Sequence, residues 1–102
     1  MDEKIVSQQP SVQIELGEKE AEGIYSNFVM IIHSPSEFIL DFARIMPGVP
    51  KAKVQARIIM TPSHAKMLLK ALSINIEKFE QKFGEIRIHE QEIKKIGFTP
   101  EK

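Results

Sequence analysis

The residues that could do chemistry are few, and the first group stands at Pro62-Ser63-His64-Ala65-Lys66, where a long helical pattern begins. Free N–H groups and the dipole at a helix start favour an anion. Ser63, His64 and Lys66 are therefore candidates to grip a phosphate or carboxylate. No glycine-rich loop precedes them, and ordinary first-turn capping outweighs an anion site. A second pair is Asp41 and Arg57, which would face each other across neighbouring strands; such a pair more often sets register than catalyses. The three histidines, His33, His64 and His89, share no ligand spacing, so a metal centre is not expected. No serine lies in a nucleophile-elbow context, and no carboxylate pair has an acid/base setting. The expectation is a protein that is not an enzyme and needs no cofactor.

Basic residues offer another chemistry. Lys51, Lys53 and Arg57 lie on one strand and its lead-in, Arg44 and Lys66 could lie near them, and Tyr25 and Phe28 could stack on bases. Lys94-Lys95 beside Arg87 is too short a run to add to this. A solvated strand edge explains the same lysines, because they discourage unwanted strand pairing. Lysine plus arginine number 14 and so do aspartate plus glutamate, so no global field draws in nucleic acid or an anionic membrane. Nucleic-acid binding through 51–57 stays as the alternative reading. The absence of cysteine rules out disulfides and thiolate metal sites and suits a reducing, cytoplasmic setting. No apolar run of transmembrane length appears.

These residues must be positioned by elements that the hydropathy pattern announces. A chain of 102 residues suits one domain. Residues 1–10 are polar and patternless and read as a flexible arm. Val12, Ile14 and Leu16 alternate with polar neighbours, the period of a half-buried strand. Residues 17–23, rich in glutamate between two glycines, read as a charged turn. Strands are expected over 24–33, 37–45 and 52–60, separated by Ser34-Pro35-Ser36 and by the proline- and glycine-bearing stretch 46–51. From Thr61 to Phe83 a single amphipathic helix is expected. Thr61 suits the N-cap, Pro62 the first turn and Gly84 the closing position. Ala65, Leu68, Leu69, Leu72, Ile76, Phe79 and Phe83 form its apolar stripe. Residues 85–88 suggest a short strand, and 89–102 a short helix and a tail.

Strands in series followed by a long helix predict an α+β fold, an antiparallel sheet of three to four strands packed on one long helix, with a single domain over 11–88. The face carrying Phe28, Met30, Ile32, Phe38, Leu40, Phe42, Val54, Ala56, Ile58 and Met60 would take the helix. If the turn is centred on 34–36, Ile31 lies opposite Ile39 and Val29 opposite Asp41. Across the 46–51 loop Asp41 is expected to face Arg57 and Ile39 to face Ile59. The back of the sheet then presents Val29, Ile31, Ile39 and Ile59 around Asp41 and Arg57. An apolar patch of that kind implies burial against something. A homo-oligomer contact, with a dimer favoured, is the leading expectation. A cover from within the chain comes second, and a ligand or client-peptide surface third.

Three blocks also resemble a known family: Ile24-Tyr25-Ser26-Asn27-Phe28, then residues 33–42, then residues 56–66. It is a widespread family of short bacterial proteins, about 100 residues long, catalogued as a domain of unknown function. The similarity spans roughly residues 10–86. It implies a compact cytoplasmic domain with strands before a long helix, and brings no activity, cofactor or catalytic residue. In topology alone the pattern is similar to the export chaperone SecB, a likeness that says nothing about function by itself. The reading that results is a non-enzymatic, self-associating binding or scaffold module, with a chaperone-like role as the form that analogy would give it.

Overall fold

The computed structural model describes residues 11–89. Along the chain run α1 (Glu18–Glu22), β1 (Phe28–His33), β2 (Phe38–Arg44), β3 (Lys53–Met60) and α2 (Pro62–Phe83). The three strands form one antiparallel sheet in the order β1-β2-β3. This is the α+β class that the strand and helix periodicities predict. The described residues divide into two compact units. One comprises 11–31 with 40–58, the other 32–39 with 59–89, and each strand contributes to both.

In the first unit the buried hydrophobic side chains are Leu40, 7% exposed, and Ala43, fully enclosed; Asp41 is buried between them in sequence. Polar groups tie β1 to the far end of β2. The Asn27 N–H donates to the Ala43 carbonyl at 3.1 Å, and the Ser26 hydroxyl reaches the same carbonyl at 3.0 Å. Two sequence expectations fail here. Residues 11–16 form no strand, and Val12, Ile14 and Leu16 are exposed. Alternation is necessary for a half-buried strand, but a strand also needs a neighbouring edge to satisfy its N–H and C=O groups. Residues 17–23, expected as a turn, instead form the single helical turn α1, with Gly17 at its N-cap and Gly23 closing it at φ 80°. Stretch 46–51 breaks the sheet as expected, through a turn closed by Val49 N–H to the Met46 carbonyl at 3.2 Å.

In the second unit the Ser34 N–H donates to the Glu37 carbonyl at 2.9 Å, leaving a two-residue hairpin loop at Pro35-Ser36. The His33 and Phe38 rings stack with centroids 5.3 Å apart, as directly opposed residues on one face do. α2 begins and ends where its capping signals place it. The Thr61 hydroxyl accepts the His64 N–H at 3.2 Å, Pro62 occupies the first turn, and Gly84, at φ 103°, closes the helix with its N–H on the Glu80 carbonyl. No residue of α2 is buried. The strand expected at 85–88 is absent, and the Ile86 N–H donates to the Glu80 carboxylate at 3.0 Å instead. A side-chain acceptor thus takes the donor that a sheet edge would have used. The expectations for 1–10 and for 90–102 lie outside the described residues.

Candidate functional site

The site is built outward from Asp41 on β2. Its carboxylate receives both prongs of the Arg57 guanidinium from β3, Nε on Oδ1 at 2.7 Å and Nη2 on Oδ2 at 2.9 Å. Both residues belong to the first unit. The expected pairing of Asp41 with Arg57 is therefore present. Hydrogen bonds from Arg57 hold the Asp41 carboxyl below the usual carboxylate range, partly opposed by desolvation and reinforced by the positive charge. Arg57 in turn is held more firmly protonated by the same bonds. Planar two-pronged geometry fixes which residues of β2 and β3 share a face.

Alternation from that pair puts Leu40 and Phe42 on the opposite face, together with Val54, Ala56 and Ile58 of β3. The register of β1 departs from the sequence expectation. A three-residue turn over 34–36 would set Ile31 against Ile39, whereas the observed two-residue loop shifts β1 by one residue. The His33–Phe38 stack places β1 residues of odd number beside the even-numbered residues of β2. Val29 and Ile31 thereby join the face of Leu40 and Phe42. Ile39 and Ile59 stay on the Asp41–Arg57 face. The expected quartet of Val29, Ile31, Ile39 and Ile59 is divided between the two sides of the sheet. Phe28, Met30 and Ile32 move the other way, to the face of Asp41 and Ala43.

The consequence in the first unit is an uninterrupted apolar face made by Val29, Ile31, Leu40, Phe42, Val54 and Ile58. Leu40 is buried, yet Ile31 remains 57% exposed and Ile58 45%. In the second unit α2 also keeps its stripe open, Leu69 at 62% and Leu72 at 53%. Sequence reasoning assigned Val54 and Ile58 to a covered helix face; their exposure depends on what lies across from them, which no local pattern encodes.

At the start of α2 two of the candidate anion groups, Ser63 and His64, are engaged by Thr61. The Thr61 hydroxyl lies 2.7 Å from His64 Nδ1 and 3.3 Å from the Ser63 hydroxyl. The hydroxyl cluster serves the cap, and Lys66 is exposed one turn on. Of the basic strand, Arg57 is committed to Asp41, while Lys51 and Lys53 are exposed and Tyr25 is exposed in the same unit. Among the described residues no cluster of three histidine or carboxylate side chains could hold a metal. Nor is any described helix long and apolar enough to cross a membrane.

No curated protein and no solved structure matches the chain. Residues 1–88 match the family described as "Protein of unknown function (DUF3467)", as the resemblance of the three sequence blocks implies, and the chain belongs to that family.

Proposed function

We propose that this chain is a non-enzymatic, self-associating module of the cytoplasm whose apolar sheet face binds a second copy, leaving other surface free for a protein or peptide partner. The observation that supports this reading is the face of Val29, Ile31, Val54 and Ile58, exposed around a buried Leu40. Covering a half-exposed aliphatic side chain contributes about 1 kcal/mol. Those four residues on each of two copies supply on the order of 8 kcal/mol against an association cost of about 4–15 kcal/mol. The sheet face alone is thus a marginal dimer contact, and it gains from any further apolar surface buried at the same time. Nucleic-acid binding through Lys51 and Lys53 is the weaker reading, because Arg57 already spends its guanidinium on Asp41.

Light scattering behind a sizing column, at low and moderate salt, tests the proposal on untagged protein. The expected mass is at least twice the chain's 11.7 kDa, indifferent to salt, and reduced by Ile31→Asp or Ile58→Asp with helix content kept. A monomer across the micromolar range would refute self-association. Binding to a labelled oligonucleotide that weakens steeply with salt and with Lys53→Ala would favour the second reading.

A further inference from the structure

We infer that two copies pair through α2 as an antiparallel helical pair, centred near residue 74, an assignment that rests on the self-association proposed above. The helix has 22 residues, about 33 Å at 1.5 Å per residue, and none of them is buried within the chain. An uncovered helix of this length is marginal in water, since most helical stability in proteins comes from packing an apolar face.

Within the stripe, Ala65, Leu69, Leu72, Ile76, Phe79 and Phe83 recur in steps of four, three, four, three and four. That is the spacing of a helix–helix seam, narrower than the stripe needed to cover a sheet. Much of this seam is open, Leu69 at 62% and Phe83 at 67% exposed, while Ile74 on the far side is 50% exposed. Its far end is already ordered, with the Phe79 and Phe83 rings 4.9 Å apart and the Lys82 ammonium 5.4 Å above Phe83.

One antiparallel register fills every layer of the seam. It sets Ala65 against Phe83 of the second copy, Leu69 against Phe79, and Leu72 against Ile76, each layer occurring twice by symmetry. The smallest residue meets one of the largest, so the helices stay evenly spaced. The flanking positions then follow without adjustment. Lys66 lies beside Glu80 of the second copy, Ser73 beside its own counterpart, and Asn75 beside its own counterpart. Two opposite-charge pairs result, one at each end. Glu80 Oε2 accepts the Ile86 N–H, and Oε1 of the same carboxylate is available to Lys66. A parallel pair would instead bring Asn75 beside Glu80 and Leu68 beside Ser73, with no charge complementarity. Sliding the antiparallel register by one heptad leaves Phe83 without a layer and Lys66 beside Ser73. Charge and volume therefore select the same occupant, a second copy, in the same register.

Charge reversal tests this directly. Lys66→Glu and Glu80→Lys each replace two attractive contacts by two repulsive ones. Each variant alone is expected to weaken dimerisation by roughly tenfold to a hundredfold. An equimolar mixture of the two restores opposite charges at both ends and should return to the wild-type dissociation constant, read by analytical ultracentrifugation. Circular dichroism on the same samples checks that both variants keep their helix. A second readout uses the absence of cysteine: Ser73→Cys should self-cross-link with a short bis-maleimide, while Lys66→Cys should cross-link only when mixed with Glu80→Cys. A wild-type dimer whose charge-reversal variants associate unchanged, or whose mixture fails to recover, overturns the antiparallel register and leaves self-association standing. A monomeric wild type removes both.

Discussion

The side chain of Asn27 pairs with the backbone of Ile45 as another strand would. Its Oδ1 accepts the Ile45 N–H at 2.8 Å, and its Nδ2 donates to the Ile45 carbonyl at 3.0 Å. Ile45 is one residue beyond β2, so the amide extends the ladder past the point where β1 has backbone to offer. The Asn27 N–H on Ala43 ties the same residue to the strand a second way.

Asn27→Ala removes both side-chain bonds and should destabilise the fold by about 1–2 kcal/mol, with the groups on Ile45 left to solvent. Urea unfolding at fixed protein concentration measures it, since self-association would make the midpoint concentration-dependent. An unchanged midpoint would mean the amide merely decorates an end held by the Ser26 and Ala43 contacts.

The Asp41–Arg57 pair sets a pH dependence whose sign follows from its geometry. The folded Asp41 carboxyl titrates below its unfolded value of about 3.9, so its contribution is fully present above that value. It is lost as pH falls through the lower folded value, while Arg57 stays charged throughout. Asp41→Asn should therefore melt below wild type at neutral pH, and the difference in Tm should narrow as pH drops below about 4. A difference that stays constant down to the acid transition would contradict this assignment.

Ala43 tests how full the first unit is. Its side chain is wholly enclosed, and Ala43→Leu should cost about 1–3 kcal/mol through overpacking. Leu40→Ala, from the opposite face of the same strand, should cost about 2–5 kcal/mol through the lost burial and the cavity. Chemical denaturation of both variants ranks the two faces. A neutral Ala43→Leu would show that the Asp41 side of the sheet has room that the structure denies.

Much of the architecture was legible because its causes are local. The three strands lie within the expected ranges, with β1 starting at Phe28 where Ile24 was expected. α2 runs from Pro62 to Phe83 as Thr61, Pro62 and Gly84 direct, and Asp41 meets Arg57 across β2 and β3 as expected. The failures share a different cause. Val12, Ile14 and Leu16 alternate correctly but pair with no described strand, and Gly17–Gly23 had composition without periodicity, enough for one helical turn.

By itself, then, the sequence determined the three strands of the sheet, the bounds of α2, and the pairing of Asp41 with Arg57. Caps, turn residues and apolar periods act through neighbouring atoms and can be read in order along the chain. Tertiary structure alone decided the face of β1, through one residue of turn length at Pro35-Ser36, and it alone decided what each apolar surface covers. Val29 and Ile31 changed sides with that residue, and the α2 stripe remained open at Leu69 and Leu72. The physical reason is that periodicity specifies that a face must be buried, whereas the atoms that bury it come from distant segments or from another molecule.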